Sequence, residues 1–397
     1  MKIACVTYFL PGKENNQGPN SLLYQIISKR SKDLKVDLFI PESILRPIAP
    51  EKISIIENEL DVNIIKIPQK KENFFHKCLT FWWPTGARVN YERYFLKEDD
   101  YDLVWGYPFW TAPHIKKINS PRIISGMDSV SLLYFRKFKT CIKERDFATP
   151  RYFLALLRAF IFELFFLRNE RVHVVGKMDH RVLESIGVRS FYVAHPINPI
   201  NFPEKEKEKE KEKSERIVRI LISNALHGFY GSRRVLDWLS IIFSTVGSIE
   251  NTSFEIIFHK GRKDLIENEC EKFFKPDNIS LNFINWVDNY EALLSKVDIQ
   301  IFPLDIGAGT KTSVLTALRM NVVCIGTDVA CENIDVLDFD NFLLEANSSK
   351  DFHRALEKAL SFIQNRMMDK YSHVLSEIHD PEKSVAVFWR EATHEKK

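Results

Sequence analysis

A run of strictly alternating glutamate and lysine, Glu204 to Lys213, constrains the fold most, because it contains no apolar residue that a core could bury. The alternation places like charges four residues apart and opposite charges three residues apart, so it gives a helix only mixed support. Such a run predicts a solvated linker. We therefore expect two domains joined by a charged linker at 201–215, which also suits a chain of 397 residues.

Short apolar segments alternate with helical patterns on both sides of this linker. The segments before it are Met1 to Leu10, Val36 to Ile40, Val62 to Ile67, Leu103 to Trp105, Arg122 to Ile124, Val172 to Val175 and Phe191 to Ala194. The segments after it are Val218 to Ile222, Phe254 to Phe258, Ser280 to Ile284, Ile299 to Phe302 and Val322 to Gly326. This alternation predicts two mostly parallel sheets covered by helices, and so an α/β fold.

The domain boundaries follow from the same pattern. We expect an N-terminal Rossmann-like domain at 1–200 and a C-terminal Rossmann-like domain at 216–379, both doubly wound. The last segment, 380–397, includes Pro381 to Thr393, follows a helical stretch from Lys350 to Ser372, and is expected to cross back onto the first domain.

Composition excludes several classes of function. A net charge of +3 from 56 basic and 53 acidic residues does not demand nucleic acid or another polyanion as a partner. Six scattered cysteines without a CxxC pair argue against a zinc site and against a disulfide framework. The apolar N-terminus is interrupted by Pro11 and Gly12, which favours a first strand over a signal peptide or a membrane span. We therefore expect a cytoplasmic protein.

A glycine-rich turn follows the strand Ile299 to Phe302. Gly307 and Gly309 remove Cβ atoms where a backbone would approach a ligand, and the pattern predicts a helix opening near Thr310. The unpaired N–H groups and the dipole of such a helix start attract an anion, and Lys311 adds a cation there. The alternative is an ordinary strand-to-helix turn of an α/β domain.

The segments around this turn carry a resemblance to a known family. Residues 283–315 and 326–334 are its most specific part, and 125–132, 174–183 and 195–199 are weaker matches. Together they resemble retaining glycosyltransferases of GT-B architecture, specifically glycosyltransferase family 4. The resemblance implies two Rossmann-like domains facing across a cleft. In that family the second domain binds the nucleotide-sugar donor and the first binds the acceptor.

The resemblance also implies particular site residues. The donor-binding candidates are Gly307, Ala308, Gly309, Thr310, Lys311, Thr312, Glu332, Asn224, Trp286 and Val287. The sequence departs from the family pattern at two places in the donor domain. Ala308 and Thr316 occupy the positions where many members carry a pair of glutamates, the second of which contacts the ribose. The basic residue usual after the first strand of the donor domain is missing, and Asn224 or His227 takes its place.

Sugar transfer places growing negative charge on the leaving diphosphate. In this architecture backbone N–H groups and cations stabilise that charge, which matches Gly309, Thr310 and Lys311 and the lack of a DxD motif or His/Cys cluster near the turn. We therefore expect Lys311 to act catalytically, with no metal and no cofactor beyond the nucleotide-diphosphate sugar as co-substrate. The alternative for Lys311 is an exposed lysine at a helix start.

The candidate acceptor residues lie in the first domain. Asp128 follows the strand Arg122 to Ile124 and is proposed to orient or deprotonate the acceptor hydroxyl. Its alternative is a helix N-cap or turn aspartate. Gly12, Gly18 and Asn20, in and after the first loop, are candidates for the acceptor pocket or for a simple turn. His173 and His195 are assigned to structure.

A segment rich in Phe and Leu, Arg151 to Arg168, contains Arg158 and Glu163 and follows a group of basic residues. Those basic residues are Arg136, Lys137, Lys139, Lys143 and Arg145. The segment is marginal for spanning a bilayer, so a core or domain-packing helix and contact with the inner-membrane surface stay as the two alternatives.

These observations lead to one expected function and two alternatives. We expect a glycosyltransferase that moves a hexose from a nucleotide-diphosphate sugar to a glycan or lipid-linked acceptor in bacterial surface polysaccharide biosynthesis, such as lipopolysaccharide or capsule. One alternative is a non-catalytic GT-B relative that acts as a binding or scaffold subunit, favoured by the missing glutamate pair. The other is a nucleotide-sugar epimerase on the same architecture.

Overall fold

The computed structural model describes most of the chain. The described residues are 1–12, 18–68, 80, 83, 96, 100–116, 118–197, 216–223, 228–230, 233–271, 275–285, 287, 289–334, 342–364 and 378–394. The chain divides into two compact units. The first consists of Met1–Pro196, Ala308–Thr310 and His379–Lys397, and the second of Ile197–Gly307 and Lys311–Ile378. The expected linker at 201–215 lies outside the described residues.

The first unit contains a seven-stranded sheet whose described strands all pair in parallel. The strands are β1 (Lys2–Thr7), β2 (Lys35–Pro41), β3 (Val62–Ile67), β4 (Leu103–Tyr107), β5 (Arg122–Met127), β6 (Arg171–Val174) and β7 (Arg189–Tyr192). Their order is β3-β2-β1-β4-β5-β6-β7. The order reverses at β1, so the carboxyl ends of β1 and β4 flank a topological switch point, where α/β sheets bind ligands.

Helices connect these strands. They are α1 (Gly18–Ser28), α2 (Glu42–Leu45), α3 (Pro50–Leu60), α4 (Ala112–Ile115), α5 (Val130–Lys143), α6 (Thr149–Phe162) and α7 (Lys177–Ser185). A 3-10 turn at Phe109–Thr111 precedes α4, and a π-helical turn at Glu163–Leu167 extends α6. The segment Arg151 to Arg168 is therefore helical, but many of its apolar side chains are not buried.

The second unit repeats the plan with a six-stranded parallel sheet. Its strands are β8 (Arg216–Ser223), β9 (Thr252–His259), β10 (Ile279–Ile284), β11 (Ile299–Phe302), β12 (Val323–Gly326) and β13 (Leu343–Glu345), in the order β10-β9-β8-β11-β12-β13. Its helices are α8 (Arg234–Gly247), α9 (Lys263–Cys270), α10 (Tyr290–Leu294), α11 (Thr312–Arg319), α12 (Asp328–Cys331) and α13 (Ser349–Gln364), after a 3-10 turn at Gly228–Tyr230. The switch point here lies between β8 and β11.

Large aromatic side chains fix the helices on both sheets. In the second unit the rings of Trp238 on α8 and Phe352 on α13 stack with centroids 4.2 Å apart. In the first unit α14 (Pro381–Thr393) packs into the core, where Phe388 and Trp389 lie 5.1 and 5.5 Å from the ring of Trp105. The indole N–H of Trp389 also donates to the carbonyl of Ile26 at 3.1 Å. The C-terminal helix is therefore part of the first core.

None of the described helices combines the length and the apolar composition needed to cross a bilayer.

Two buried histidines support the first sheet. The Nδ1 atom of His173 lies 3.1 Å from the Ser125 hydroxyl oxygen, which also accepts a hydrogen bond from the Trp105 indole at 2.8 Å. Burial lowers the pKa of His173 to about 3, with a smaller contribution from His195. Burial also lowers the pKa of His195 to about 4. Both histidines are therefore neutral in the folded protein near pH 7 and have structural roles.

These pKa shifts predict a loss of stability in acid. The pKa of an unfolded histidine is about 6.5, so the unfolded chain takes up protons first as the pH falls. Because both folded pKa values are depressed, the stabilisation is complete above pH 6.5 and is lost as the pH falls toward 4. We expect His173 and His195 together to reduce the free energy of unfolding by about 4 kcal/mol at pH 5 relative to pH 7.5. Urea unfolding at the two pH values measures this difference.

A matched pair of variants assigns the effect. His173→Asn should roughly halve the pH-dependent loss, because asparagine offers a polar atom near the Nδ1 position and does not titrate. The exposed His394→Asn should leave the loss unchanged. An equal loss in wild type and His173→Asn would mean that other groups cause it.

Candidate active site

A β-bulge at the carboxyl end of β5 positions Asp128. The register between β5 and β6 shifts between Ser125 and Met127. Met127 then adopts a left-handed conformation with φ of 59°, and the N–H of Asp128 donates to the carbonyl of Gly126 at 2.7 Å. A bulge redirects the side chains that follow it. Asp128 thus leaves the sheet at the edge where parallel sheets bind ligands.

The N-cap of α5 is Ser129, not Asp128. The Ser129 hydroxyl oxygen accepts a hydrogen bond from the N–H of Leu132 at 3.3 Å. The alternative interpretation of Asp128 as the helix N-cap is therefore wrong, and its proposed role toward an acceptor stays a prediction.

A buried carboxylate from the π-helical turn completes the start of α5. The Oε1 atom of Glu163 accepts hydrogen bonds from the backbone N–H groups of Val130 and Ser131 at 2.7 and 3.1 Å. Burial raises the pKa of Glu163, while the hydrogen bonds from Ser131, Val130 and Ser129 oppose that shift. Its second oxygen, Oε2, has no hydrogen-bond partner within the part of the chain that the structure describes. Glu163 therefore stabilises two N–H groups that the helix cannot satisfy itself.

A second buried carboxylate, Asp179 near the start of α7, connects Ser129 to the glycine turn. Its Oδ1 atom accepts from the N–H of Ser129 at 2.7 Å. The N–H of Gly309 donates to both carboxylate oxygens, at 3.1 and 3.0 Å. Asp179 lies inside the weakly matching segment 174–183, but the sequence did not mark it as a site residue. The spacing of 130 residues between the two partners gives no local signal.

Gly309 has to be glycine at this position. Its φ is +64°, and a Cβ atom added to it would lie 1.7 Å from the Oδ1 atom of Asp128. The neighbouring Thr310 is buried, and its hydroxyl donates to the carbonyl of Val175 at 2.5 Å. The Gly309 N–H that was expected to bind a diphosphate here binds the Asp179 carboxylate, so that expected role stays a prediction.

The helix after the glycine turn begins later than expected. It starts at Thr312, two residues after the expected position, with Lys311 at the N-cap position. The left-handed backbone of Gly309 and the hydrogen bond from the Thr310 hydroxyl to the distant carbonyl of Val175 keep both residues out of the helix. Ala308 is buried just before them.

The Lys311 side chain packs closely in the second unit. Its ammonium nitrogen lies 3.2 Å from the Oε1 atom of Glu332, and both side chains are nearly buried, at 11% and 10% exposure. A Cβ atom at Gly307 would lie 2.6 Å from the Cε atom of Lys311. Gly307 therefore leaves room for the lysine stem. The structure brings together Gly307, Lys311 and Glu332, three of the residues chosen from the sequence.

Polar side chains that the sequence did not single out gather near the switch point of the second sheet. The amide nitrogen of the buried Gln300 donates to the Ser223 hydroxyl at 3.0 Å and to the Tyr290 hydroxyl at 2.5 Å. His259, at the end of β9, lies with its ring centroid 5.6 Å from that of Tyr290. Among the described residues, none offers a hydrogen-bond partner to the Nε2 atom of His259. This cluster of polar side chains at the carboxyl edge of the sheet could form hydrogen bonds with a polar ligand.

Not every donor candidate can be placed. Val287 is half-buried between β10 and α10. Asn224, His227 and Trp286 lie outside the described residues.

The acceptor candidates of the first loop lie at the switch point of the first sheet. The N–H of Gly12 donates to the carbonyl of Asn20 at 3.5 Å, and α1 begins at Gly18. The buried Tyr107 hydroxyl, at the end of β4, donates to the carbonyl of Pro19 at 2.5 Å. Gly12, Gly18 and Asn20 are thus close to the carboxyl ends of β1 and β4, and their role in an acceptor pocket stays a prediction.

The part of the chain that the structure describes contains no group of three or more His, Cys, Asp or Glu side chains that could hold a metal ion.

Comparisons with known proteins identify the class. Residues 236–361 match the family described as "Glycosyl transferases group 1", a span that includes the glycine turn, Lys311 and Glu332. No curated protein sequence is significantly similar to the chain.

Solved structures share the fold over almost the whole chain. HepE from Anabaena in complex with UDP is 10% identical over 98% of this chain and 99% of its own, with a TM-score of 0.60. A glycosyltransferase from Rickettsia africae is 13% identical over 98% and 96%, with a TM-score of 0.56. WaaG, a glycosyltransferase involved in lipopolysaccharide biosynthesis, is 14% identical over 97% and 99%, with a TM-score of 0.52.

The two Rossmann-like sheets and these neighbours show a GT-B fold, and the matched domain supports a glycosyltransferase. The chain is a transferase enzyme.

Proposed function

We propose that this enzyme transfers a hexose from a nucleotide-diphosphate sugar to a glycan or lipid-linked acceptor of bacterial surface polysaccharide, such as lipopolysaccharide or capsule. We propose further that it is a family 4 enzyme that acts without metal, retains the anomeric configuration, and acts in the cytoplasm at the inner membrane. The UDP bound to HepE and the pathway of WaaG support the donor class and the pathway. The donor is proposed to carry UDP, GDP or a related nucleotide diphosphate.

The position of Lys311 carries the proposal. It is the N-cap residue of a helix that follows β11, inside the matched domain and beside the switch point of the second sheet. A cation and a helix N-terminus both stabilise negative charge on a leaving diphosphate. The Oε1 atom of Glu332 lies 3.2 Å from the ammonium nitrogen of Lys311, and we propose that this carboxylate also faces the donor sugar.

The remaining residues receive roles by their place in each unit. Ser223, Tyr290 and His259, at the carboxyl edge of the second sheet, are proposed to contact the nucleoside. In the first unit Asp128 is proposed to orient or deprotonate the acceptor hydroxyl, since it emerges at the carboxyl end of β5. Thr316 carries no carboxylate for the ribose, so the phosphate contacts supply most of the donor affinity.

A thermal-shift panel tests the donor site. UDP, GDP and their sugar conjugates are added without metal, and at least one is expected to raise the melting temperature of the wild type. Lys311→Ala should weaken that nucleotide about tenfold to hundredfold, because it removes a charged hydrogen-bond donor. Protection by none of the nucleotides would refute the proposal.

Lys263→Ala is the matched control. Lys263 is also at the start of a helix that follows a strand of the same sheet, but its side chain is 64% exposed and pairs with Glu267. Its replacement should leave nucleotide affinity unchanged. Product analysis by NMR of the anomeric proton, in the presence of a chelator, then tests retention and metal independence together.

A further inference from the structure

The hairpin formed by α5 and α6 exposes an unusual amount of apolar surface. We define the hairpin face as the exposed apolar side chains of this region. They are Phe135, Ile142, Phe147, Phe153, Leu157, Phe160 and Phe165. Phe147, in the connection between the helices, is fully exposed at 101%. Isolated exposed apolar residues need no explanation, but a group of this size on one hairpin indicates an interaction surface.

The residues of the hairpin face form two stripes that meet. Phe135 and Ile142 are seven residues apart on α5, and Phe153, Leu157 and Phe160 follow the spacing i, i+4, i+7 on α6. Residues at these spacings lie on one side of a helix. The ring of Phe138, next to the first stripe, lies 5.5 Å from that of Phe153 in the second. The two stripes therefore form one continuous face.

Basic residues surround this face. Residues 130–162 contain seven lysines and arginines and two acidic residues, although the whole chain has a net charge of only +3. Lys139, Lys143, Arg145 and Arg151 are exposed. The positive charge of the protein is thus concentrated on the hairpin that also carries the apolar stripes.

Few side chains hold this hairpin by burial. In α5 the buried residues are Val130, Ser131, Thr140 and Cys141, and in α6 they are Ala159 and Phe162. The other apolar residues of both helices are partly buried or exposed, and transfer of their exposed apolar surface into an apolar phase would be favourable.

The basic residues indicate which partner the hairpin face binds. A second copy of the chain would place one strongly basic face against another, which is repulsive. An anionic lipid bilayer offers negative headgroups to the cations and an acyl region to the phenylalanines, at the depth where interfacial helices lie. We propose that the α5–α6 hairpin docks the enzyme on the surface of an anionic bilayer. This docking does not depend on sugar transfer.

Cosedimentation with vesicles tests this proposal on the full chain without any nucleotide. The protein is expected to bind vesicles of equal parts phosphatidylglycerol and phosphatidylcholine, and to bind pure phosphatidylcholine at least about tenfold more weakly. Raising the salt from about 0.1 M to about 0.5 M should weaken binding to the anionic vesicles, because salt screens exposed charges.

Two variants separate the apolar and the ionic contributions. Lys139→Gln combined with Lys143→Gln should reduce the partition coefficient about fivefold for each cation removed. Phe147→Ser should reduce it about tenfold through the loss of one inserted ring. Since the Phe147 side chain is fully exposed, the melting temperature of the Phe147→Ser variant should equal that of the wild type. The matched controls on α3 of the same unit are Ile55→Ser, at 62% exposure, and Lys52→Gln, and both should bind as the wild type does.

Several outcomes would overturn the proposal. Equal binding to both kinds of vesicle, or no binding to either, would remove the anionic bilayer as the occupant. An equal loss in the α3 controls would mean that the hairpin is not the docking site. A wild-type dimer in light scattering that Phe147→Ser converts to a monomer would identify a second copy as the occupant instead. In each case the thermal-shift result for Lys311 would stand or fall separately.

Discussion

Replacing Gly309 by alanine is expected to lower kcat/KM for sugar transfer by about 100-fold, the effect of a misplacement of about 1 Å in a catalytic site. The residue has a φ of +64°, which disfavours any side chain. The added Cβ atom would also lie 1.7 Å from the Oδ1 atom and 2.6 Å from the Cγ atom of Asp128. Either the aspartate or the turn has to move. The measurement is steady-state transfer with the donor found in the thermal-shift panel.

Gly187→Ala separates backbone strain from the displacement of Asp128. Gly187 also has a left-handed backbone, with a φ of +81°, but the nearest atom to its added Cβ is the Nε of Arg168 at 3.7 Å. We expect it to lose about 1 kcal/mol of stability and no activity. If both variants lose activity equally, strain in the fold and not the contact with Asp128 is responsible.

Replacing Glu163 by alanine should destabilise the protein by about 3–5 kcal/mol. The variant would leave the N–H groups of Val130 and Ser131 buried without their acceptor, and it would open a cavity in the space of the removed side chain. Chemical unfolding of the first unit, followed by the fluorescence of its tryptophans, measures the loss.

Glu163→Gln is the matched control for the charge. Glutamine keeps an oxygen that can accept from both N–H groups, and it removes a carboxylate whose pKa burial has already raised. The expected loss is about 1 kcal/mol. A loss as large as that of alanine would show that the negative charge itself, and not the acceptor, stabilises the start of α5.

Most strands of both sheets could be predicted from the sequence because they are short segments rich in apolar residues. The segment Ile299 to Phe302 coincides with β11, which is buried along its whole length, and a strand covered on both faces needs apolar residues at most positions. The segment Val62 to Ile67 coincides with β3, an edge strand in which Asn63 and Lys66 are exposed. The exception is β13, which has three residues and ends in Glu345, and was not predicted.

The contacts around the candidate site could be predicted only in part. Gly307, Lys311 and Glu332 were found because the glycine turn, its cation and the family pattern lie within a short stretch of sequence. The carboxylates of Glu163 and Asp179 were missed. Each meets the start of α5 from a segment 32 to 50 residues away, and only the order of the strands brings those segments together.

The start of α11 shows a different limit. Its amino acid pattern permits a helix from Thr310, but the conformation of Gly309 and the hydrogen bond of the Thr310 hydroxyl delay it to Thr312. Tertiary contacts therefore decided a boundary that propensity left open.

The packing of α14 against Trp105 has a consequence for synthesis on the ribosome. The first unit draws most of its residues from Met1–Pro196, yet Phe388 and Trp389 fill its core. Until the ribosome has translated that helix, Trp105 and its neighbours lack these aromatic partners. Nascent chains fold as they emerge from the ribosome. The core residues of the N-terminal unit that α14 later covers therefore stay exposed while the second unit is translated. A chaperone that binds such surfaces would meet the first unit, and not the second, for the longer time.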